Sequence, residues 1–264
     1  MSIPTLAAVI TAAGSSARFS KGIGCDVKKE YLPLDGHSVL YMATRPFYEI
    51  PSLKAVVVTC PKGSEDEAAV ALEDLIDIAS VPLLIIKGGA TRMESVKAAL
   101  EALKGLPGLP EYIAIHDGAR PYLDKSLIIT TLASAAIAGG AVPVLPVTDA
   151  VRRLGPDGLF SESIEKKGLV TVQTPQIFRS EEILDAYGRY PFTEADDDLQ
   201  VHMQAGYSST FSVGSPQNRK ITFAEDIPDA KAKAEEYLKA REEGRRSAKA
   251  SKRMRELIMQ GDAE

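Results

Sequence analysis

Two basic residues near the N-terminus, Arg18 and Lys29, follow a turn of small residues and could bind an anion. The turn comes after a short apolar run, Ala7–Ile10, which is typical of a buried strand. It consists of Ala12, Ala13, Gly14, Ser15 and Ser16. A strand that leads into a Gly- and Ser-rich turn presents backbone N–H groups that can bind phosphate oxygens. Together with the two cations, this pattern predicts a triphosphate site.

Two common nucleotide-binding motifs do not describe this turn. The GxGxxG spacing of dinucleotide sites is missing, and no Gly-Lys-Ser/Thr closes the turn as in a P-loop. From the turn alone, an ordinary strand-to-loop connection with solvated cations is an equally good interpretation, because short Gly/Ser turns are common in proteins.

A second motif reads Gly-Gly-Ala-Thr-Arg over residues 88–92 and is followed by Ser95. Gly88 and Gly89 would let the backbone approach a ligand closely, and Ser95 would add a hydroxyl one turn into the next helix. The structural interpretation is a plain strand-to-helix turn with Thr91 as its N-cap residue.

A third motif reads His-Asp-Gly-Ala-Arg-Pro over residues 116–121 and lies at the end of a predicted strand. Asp117 directly after a buried strand, with Arg120 three residues later, suits a Mg²⁺ ion shared between protein and phosphates. We interpret His116 as a buried, hydrogen-bonded residue rather than a general base.

The elements around these motifs alternate between strand and helix at short intervals. Strands are predicted at Ala7–Ile10, Lys54–Cys60, Val81–Lys87, Tyr112–His116 and Ala141–Pro146, and helices at Ser38–Tyr48, Ser64–Ile78, Thr91–Lys104 and Ser126–Ala138. This order predicts an α/β fold with a Rossmann-like, mostly parallel sheet and helices on both faces. Ligands bind such sheets at the carboxyl ends of the strands, where all three motifs fall.

The pattern changes after residue 147. Val151–Gln173 is broken by glycines and predicts an extended hairpin or arm, with a surface hairpin on a monomer as the simpler interpretation. Short helices are predicted at Ser180–Tyr187 and Asp196–Ala205, and final strands at Tyr207–Val213 and Arg219–Ile221. From Asp226 onward the sequence is charged and helix-forming. We interpret its basic run, Arg241–Arg255, as a solvated helix rather than a nucleic-acid or membrane contact.

Composition narrows the class of protein. The chain has 264 residues, 45% of them hydrophobic, which is enough to bury a full core. Its net charge of −5 argues against a broad nucleic-acid surface. The two cysteines, Cys25 and Cys60, have no CxxC spacing, so a structural zinc site or a disulfide framework is not expected. Without a secretory signal or a membrane-spanning apolar stretch, we expect a cytoplasmic protein with no membrane partner.

The pattern A-A-G-x-S-x-R-F, followed by K-x-Y-L, resembles the nucleotide-binding loop of sugar-phosphate nucleotidyltransferases. Within that superfamily the chain most resembles the 2-C-methyl-D-erythritol 4-phosphate cytidylyltransferase family of the non-mevalonate isoprenoid pathway. The resemblance extends from about Ala7 to about Asp226. It implies a cytidylyltransferase domain over residues 1–228, with an arm at about 150–173, and a charged helical extension over 229–264.

The resemblance also implies substrates and residue roles. The enzyme would transfer CMP from CTP to 2-C-methyl-D-erythritol 4-phosphate, a small polyol phosphate, and release pyrophosphate. It would use Mg²⁺ or another divalent metal and form a homodimer through the arm. Catalytic roles would belong to Arg18, Lys29 and Lys220; nucleotide binding to Ala12, Ala13, Gly14, Ser15, Ser16, Gly88, Gly89, Arg92, Ser95 and Asp117; acceptor binding to Arg120, Ala150, Lys166, Thr174 and Lys220; and metal binding to Asp117. The acidic run Asp196–Asp198 is interpreted as helix-start charge, with a second metal contact as the alternative.

Two positions depart from the family pattern. Lys166 stands where the family usually has an arginine, and Ala150 where it tends to have threonine. Lysine is a point charge and does not replace the bidentate guanidinium. Because both positions face the acceptor, ribitol 5-phosphate and ribulose 5-phosphate remain alternative acceptors, and a non-catalytic nucleotide-binding regulator is the alternative from another class.

Overall fold

The computed structural model describes residues 3–76, 79–191 and 194–244, and a mixed eight-stranded β-sheet forms its centre. The strands are β1 (Leu6–Thr11), β2 (Pro33–Leu34), β3 (His37–Ser38), β4 (Leu53–Cys60), β5 (Leu83–Lys87), β6 (Tyr112–Asp117), β7 (Gly140–Pro146), β8 (Val151–Leu154), β9 (Phe160–Ile164), β10 (Val170–Val172), β11 (Gln176–Arg179) and β12 (Ser209–Val213). The helices are α1 (Ala17–Ile23), α2 (Val39–Tyr48), α3 (Glu65–Ala71), α4 (Glu73–Ile76), α5 (Arg92–Lys104), α6 (Lys125–Ala138), α7 (Ser180–Arg189), α8 (Asp198–Gln204) and α9 (residues 230–244).

The sheet has the strand order β5-β4-β1-β6-β11-β7. Strand β10 pairs with β7 on the same side as β11, and β12 pairs with β7 on the other side. The pairs among β5, β4, β1 and β6 are parallel, as is β12 with β7, whereas β10 and β11 run antiparallel to their neighbours. This confirms the predicted mostly parallel sheet with helices on both faces.

Strand β1 lies inside the sheet, and its side chains pack into two apolar cores, one on each face. Leu6, Ala8 and Ile10 pack on one face of the sheet, with α2, α3, α4 and α6. Ala7 and Val9 pack on the other face, with α5, α7 and α8. A nearly continuous apolar run is what a parallel strand covered on both faces requires. The strand therefore ends in a fixed position, and the turn that follows it is held by the whole sheet.

Helix α5 illustrates how local sequence positions the second motif. The Thr91 side chain accepts a hydrogen bond from the backbone of Glu94 at 3.1 Å and so caps the helix. Val96, Leu100 and Leu103 are buried at helical spacing against the sheet. The capped start of α5 therefore lies at the carboxyl edge of β5, as the N-cap interpretation of Thr91 predicts.

The structure corrects two local predictions and adds elements that the sequence did not indicate. The predicted helix Ser64–Ile78 is interrupted at Leu72, which is buried in the core, and Ser64 makes no side-chain cap bond; residues 77–78 lie outside the described chain. The predicted strand Arg219–Ile221 is irregular, because the Ile221 amide bonds to Ala119 in a loop rather than to a strand. Helix α1 and strand β11 were not expected from the sequence.

The predicted arm is an extended hairpin. Strands β8 and β9 pair with each other in a separate two-stranded sheet, and β10 returns the chain to the central sheet. Three apolar side chains of the hairpin, Leu154, Leu159 and Phe160, are 59%, 68% and 78% exposed. The hairpin therefore offers an apolar surface that this chain leaves open to solvent.

The start of the C-terminal extension folds back onto the core. Ala230 and Ala234 of α9 are buried in a third apolar cluster with Phe19 and Ile23 of α1. Farther along α9, Arg241 forms an ion pair with Glu67 of α3. The basic run that begins at Arg241 continues beyond residue 244, outside the described residues. In the part of the chain that is described, no helix is both long and apolar enough to span a bilayer.

Candidate active site

A cleft of about 280 Å³ lies at the carboxyl edge of the sheet, where β1, β5 and β6 end. It is lined by residues from the three sequence motifs together with Lys220, which comes from the irregular segment after β12. Strands β4, β1 and β6 run parallel in register, so their carboxyl ends meet at one edge. The sheet therefore brings together segments that are up to two hundred residues apart in the sequence.

Asp117 is the electrostatic centre of the cleft. Its Oδ2 atom lies 3.0 Å from Lys220 Nζ and 3.2 Å from Arg120 Nε, and its Oδ1 atom lies 3.5 Å from Arg92 Nε. Burial by itself would raise the pKa of Asp117, but the charges of Lys220, Arg92 and Arg120 outweigh it and hold the pKa well below the usual range. The carboxylate is therefore ionised at any physiological pH.

Lys29 is a buried lysine that also lines the cleft. Its Nζ donates to the backbone carbonyl of Ile221 at 2.5 Å. Burial lowers the pKa of Lys29, Glu30 raises it, and the nearby charges of Lys220, Lys28 and Arg18 lower it further. A cluster of cations that destabilise one another is relieved when an anion binds among them.

The turn of residues 12–16 is held from behind by charged side chains. Lys28 donates to the Gly14 carbonyl and pairs with Glu30 at 2.9 Å, and Glu30 also accepts from the Ser16 hydroxyl at 3.1 Å. Among the described residues, the amides of Gly14 and Ser15 donate to no protein acceptor. A side chain at Gly14 would meet nothing within 4 Å, so this part of the turn faces open space in the cleft.

The two glycines of the second motif do more than allow a ligand to approach. A Cβ atom at Gly88 would lie 2.4 Å from the Cβ of Ala13, and one at Gly89 would lie 2.1 Å from the Cβ of Glu94. Ser95 accepts from the Gly89 amide at 3.1 Å. Gly89 and Ser95 line the cleft, whereas Gly88 lies behind it, packed between the N-terminal turn and α5. This close packing joins the two motifs.

Arg92 lines the cleft, but its two terminal nitrogens point away from Asp117. Nη1 and Nη2 donate to Asp198 at 2.9 Å and 2.6 Å. Asp197 caps α8 by accepting from the Gln200 amide, in agreement with the helix-start interpretation of the acidic run. No local pattern in the sequence points to the pair between Arg92 and Asp198, because the partners are 106 residues apart.

Two residues expected on the acceptor side, Arg120 and Thr174, already form hydrogen bonds within the protein. Arg120 reaches the Asn218 carbonyl at 2.8 Å. The Thr174 hydroxyl accepts from the Asp117 amide at 3.1 Å and bonds to His116 Nδ1 at 3.0 Å. Burial lowers the pKa of His116 to about 4, so the imidazole is neutral near pH 7. His116 is buried and hydrogen-bonded, as predicted.

The two arm residues assigned to the acceptor do not reach the cleft of their own chain. Ala150 and Lys166 are exposed, and Lys166 Nζ donates to the Thr148 carbonyl at 2.5 Å. Neither belongs to the lining of the cleft. Four other predicted residues, Ala12, Gly88, Arg120 and Thr174, are not in the lining either. Arg120 and Thr174 nevertheless contact Asp117, which lines the cleft, whereas Ala150 and Lys166 stand apart on the arm.

The donor set around Asp117 limits how a metal could be held. Within the described residues, no group of three or more His, Cys, Asp or Glu side chains could hold a metal ion. Oδ2 of Asp117 is occupied by two cations, whereas the ion pair at Oδ1 is a longer 3.5 Å contact. This fits a Mg²⁺ ion that takes one oxygen from the protein and its other ligands from phosphates and water.

Comparisons with known proteins agree with this geometry. The model of the family described as 2-C-methyl-D-erythritol 4-phosphate cytidylyltransferase matches residues 6–239, which include every residue that lines the cleft. A protein of that name from Cereibacter sphaeroides is 38% identical over 235 residues, which cover 89% of this chain and 97% of the relative.

Longer relatives and a solved structure give the same result. A bifunctional IspD/IspF enzyme from Paracoccus denitrificans is 39% identical over 242 residues, which are 90% of this chain and 57% of the relative. The chain thus spans about half the length of the bifunctional relatives that it matches. The crystal structure of the 2-C-methyl-D-erythritol 4-phosphate cytidylyltransferase from Thermus thermophilus is 27% identical with a TM-score of 0.65, covering 85% of this chain and 96% of that one.

Proposed function

Because this chain belongs to the 2-C-methyl-D-erythritol 4-phosphate cytidylyltransferase family, we propose that it transfers CMP from CTP to 2-C-methyl-D-erythritol 4-phosphate. The products are 4-diphosphocytidyl-2-C-methyl-D-erythritol and pyrophosphate. One observation carries the proposal: Arg92, Arg120 and Lys220 converge on Asp117 in a cleft that Arg18 and Lys29 also line. Such a site suits a reaction in which phosphates supply the reacting atoms.

The chemistry is an in-line displacement at phosphorus. An oxygen of the acceptor phosphate attacks the α-phosphorus of CTP, and the bond from that phosphorus to the bridging oxygen breaks. The electron pair leaves with pyrophosphate, so no side chain has to form a covalent bond. Arg18 and Lys29 stabilise the charge that develops on the transferred group and on pyrophosphate. The bound anion in turn stabilises the charged form of Lys29, which burial disfavours.

Mg²⁺ belongs to the same proposal. Asp117 is the residue that would hold it, together with phosphate oxygens and water. The ion supplies further neutralisation of phosphate charge. Chelation with EDTA is expected to abolish turnover, and added MgCl₂ to restore it. Undiminished turnover in EDTA would contradict the proposed metal dependence.

Pyrophosphate release tests the function directly. The protein is mixed with CTP and Mg²⁺, and 2-C-methyl-D-erythritol 4-phosphate, ribitol 5-phosphate and ribulose 5-phosphate are supplied in parallel reactions. Release with the first acceptor alone is the expected result. Release only with a pentose-derived acceptor would show that the departures at Ala150 and Lys166 change the acceptor, and no release with any of them would favour the nucleotide-binding regulator.

The arm leads to a proposal about assembly. Ala150 and Lys166 lie outside the cleft of their own chain, and the hairpin that carries them exposes Leu154 and Phe160. A second copy of the chain would cover this apolar surface and receive the two residues at its own cleft. The active form is then a homodimer in which each arm serves the partner chain, with the same surface on both copies.

A further inference from the structure

Asp198 and Arg92 form a partly buried ion pair to which the displacement above assigns no part. Asp198 is fully buried. Its Oδ1 accepts from Arg92 Nη1 at 2.9 Å and its Oδ2 from Arg92 Nη2 at 2.6 Å, and the Tyr187 hydroxyl donates to Oδ1 at 2.5 Å. The pair joins the first residue of α8 to the first residue of α5, so it ties the helix start in the cleft to the helix pair behind it.

The pair fixes how Arg92 can act on the cleft. A guanidinium is planar and rigid, so two bonds to one carboxylate set the direction of its third nitrogen. That nitrogen, Nε, lies 3.5 Å from Oδ1 of Asp117. Both terminal nitrogens would otherwise be free to turn toward a bound phosphate. With Asp198 in place, Arg92 forms a fixed bridge between two buried carboxylates.

Packing alone does not require a charge at this position. Burying the Asp198 carboxylate removes its hydration, and this cost offsets much of the attraction to Arg92, so well-packed apolar residues could stabilise the fold about as well. The Asp198 carboxylate can also affect the cleft, because its partner Arg92 lines the cleft together with Gly89 and Ser95. These two residues belong to the second motif, to which the nucleotide is assigned.

We propose that Asp198 is a positioning residue for the nucleotide. It acts through Arg92, whose guanidinium it holds against Asp117 on the CTP side of the cleft. This inference rests on the proposed cytidylyl transfer and deepens it. It gives an indirect role in CTP binding to a side chain that lies outside the cleft lining.

Steady-state kinetics of D198N test the proposal. Asparagine keeps the size of the side chain but removes the charge and one acceptor. We expect the KM for CTP to rise about tenfold, while the KM for the acceptor changes by less than about twofold. Y187F is the matched control: it removes the third hydrogen bond to the same carboxylate and leaves both bonds to Arg92. It should leave the KM for CTP within about twofold of the wild-type value.

Other outcomes would overturn the proposal. An unchanged KM for CTP in D198N, or an equal rise for both substrates, would mean that the pair only stabilises the fold. A lower KM for CTP would mean that Asp198 withholds Arg92 from the nucleotide. If D198N does not fold, R92K tests the same point, since lysine keeps the charge but cannot bind Asp198 and Asp117 together. Should the wild-type protein release no pyrophosphate, the function fails, and calorimetric titration with CTP still measures the expected tenfold weakening in D198N.

Discussion

At the scale of single residues, the site contains three cations that pair with Asp117, whereas Arg18 forms no ion pair in the part of the chain that the structure describes. Lys220, Arg120 and Arg92 share the charge of Asp117. The guanidinium carbon of Arg18 lies 5.9 Å from the centre of the Phe223 ring. The Arg18 side chain is exposed at the cleft. A cation without a fixed carboxylate partner is free to follow charge as it develops on a substrate, which is the role we assign to Arg18.

Replacing Arg18 with alanine should therefore reduce turnover far more than binding. We expect kcat to fall by roughly two to three orders of magnitude, and the Kd for CTP to rise by less than about tenfold. K21A is the control, because Lys21 lies on the same helix outside the cleft lining. Kinetics and calorimetry on both variants provide the measurement. A loss of CTP affinity that accounts for the whole effect would contradict the assigned role.

His116 gives the fold a predictable dependence on pH. Its pKa is about 4 in the folded protein against 6.5 in an ordinary setting, so the unfolded chain binds the proton more tightly. The free energy of unfolding should then decrease as pH falls from about 6.5 toward 4, by up to about 3 kcal/mol. Chemical denaturation in EDTA at a series of pH values measures the slope. The H116Q variant should show a shallower slope, and identical slopes would exclude His116 as the source.

At the scale of elements, the strands that carry the site were predictable because each is a run of apolar residues ending in Gly, Ser or Asp. Strand β11 was missed because four residues of mixed polarity, Gln176–Arg179, carry no period, and only their place between β6 and β7 makes them a strand. The segment Arg219–Ile221 was predicted to be a strand, but it pairs with no strand of the sheet. Its apolar residue, Ile221, packs against α1 instead.

The contacts between elements were harder to predict from the sequence than the elements themselves. The sequence marked Gly88 as a residue that lets the backbone approach a ligand, whereas the structure shows it touching Ala13 and Ser95. The pair between Arg92 and Asp198 depends on the packing of α5 against α8, which no local pattern encodes. Local chemistry thus predicted which motifs form the cleft, and tertiary packing decided which atoms of those motifs face it.

The close contact of Gly88 with the N-terminal turn and α5 can be tested by adding one methyl group at Gly88. In G88A the new Cβ would lie 2.4 Å from the Ala13 Cβ, so the turn or α5 must move. We expect a loss of about 1–3 kcal/mol in the free energy of unfolding, and a higher KM for CTP. G105A, at the other end of α5, is the control because its Cβ would lie 3.4 Å from the nearest atom. Denaturation and kinetics that are unchanged in G88A would show that the turn adapts freely.

At the scale of the whole molecule, one chain presents a cleft and, on its arm, two residues that do not reach it. Lys166 is exposed on the arm, and the cleft holds Arg18. If arms are exchanged in a dimer, the active site contains Arg18 from one chain and Lys166 from the other. K166A and R18A should then each be inactive as a homodimer, for different reasons.

Mixing the two inactive variants should restore activity. Random exchange of subunits makes about half of the dimers mixed, and each mixed dimer contains one site with both Arg18 and Lys166, so about a quarter of wild-type activity is expected. The assay is pyrophosphate release after a cycle of dilution and concentration. F160D should block the recovery, because Phe160 is 78% exposed on the arm and an acidic side chain there would oppose association. Activity that stays at the level of the separate variants would place Lys166 on its own chain's site, or on none, and would leave the arm as a surface hairpin of a monomer.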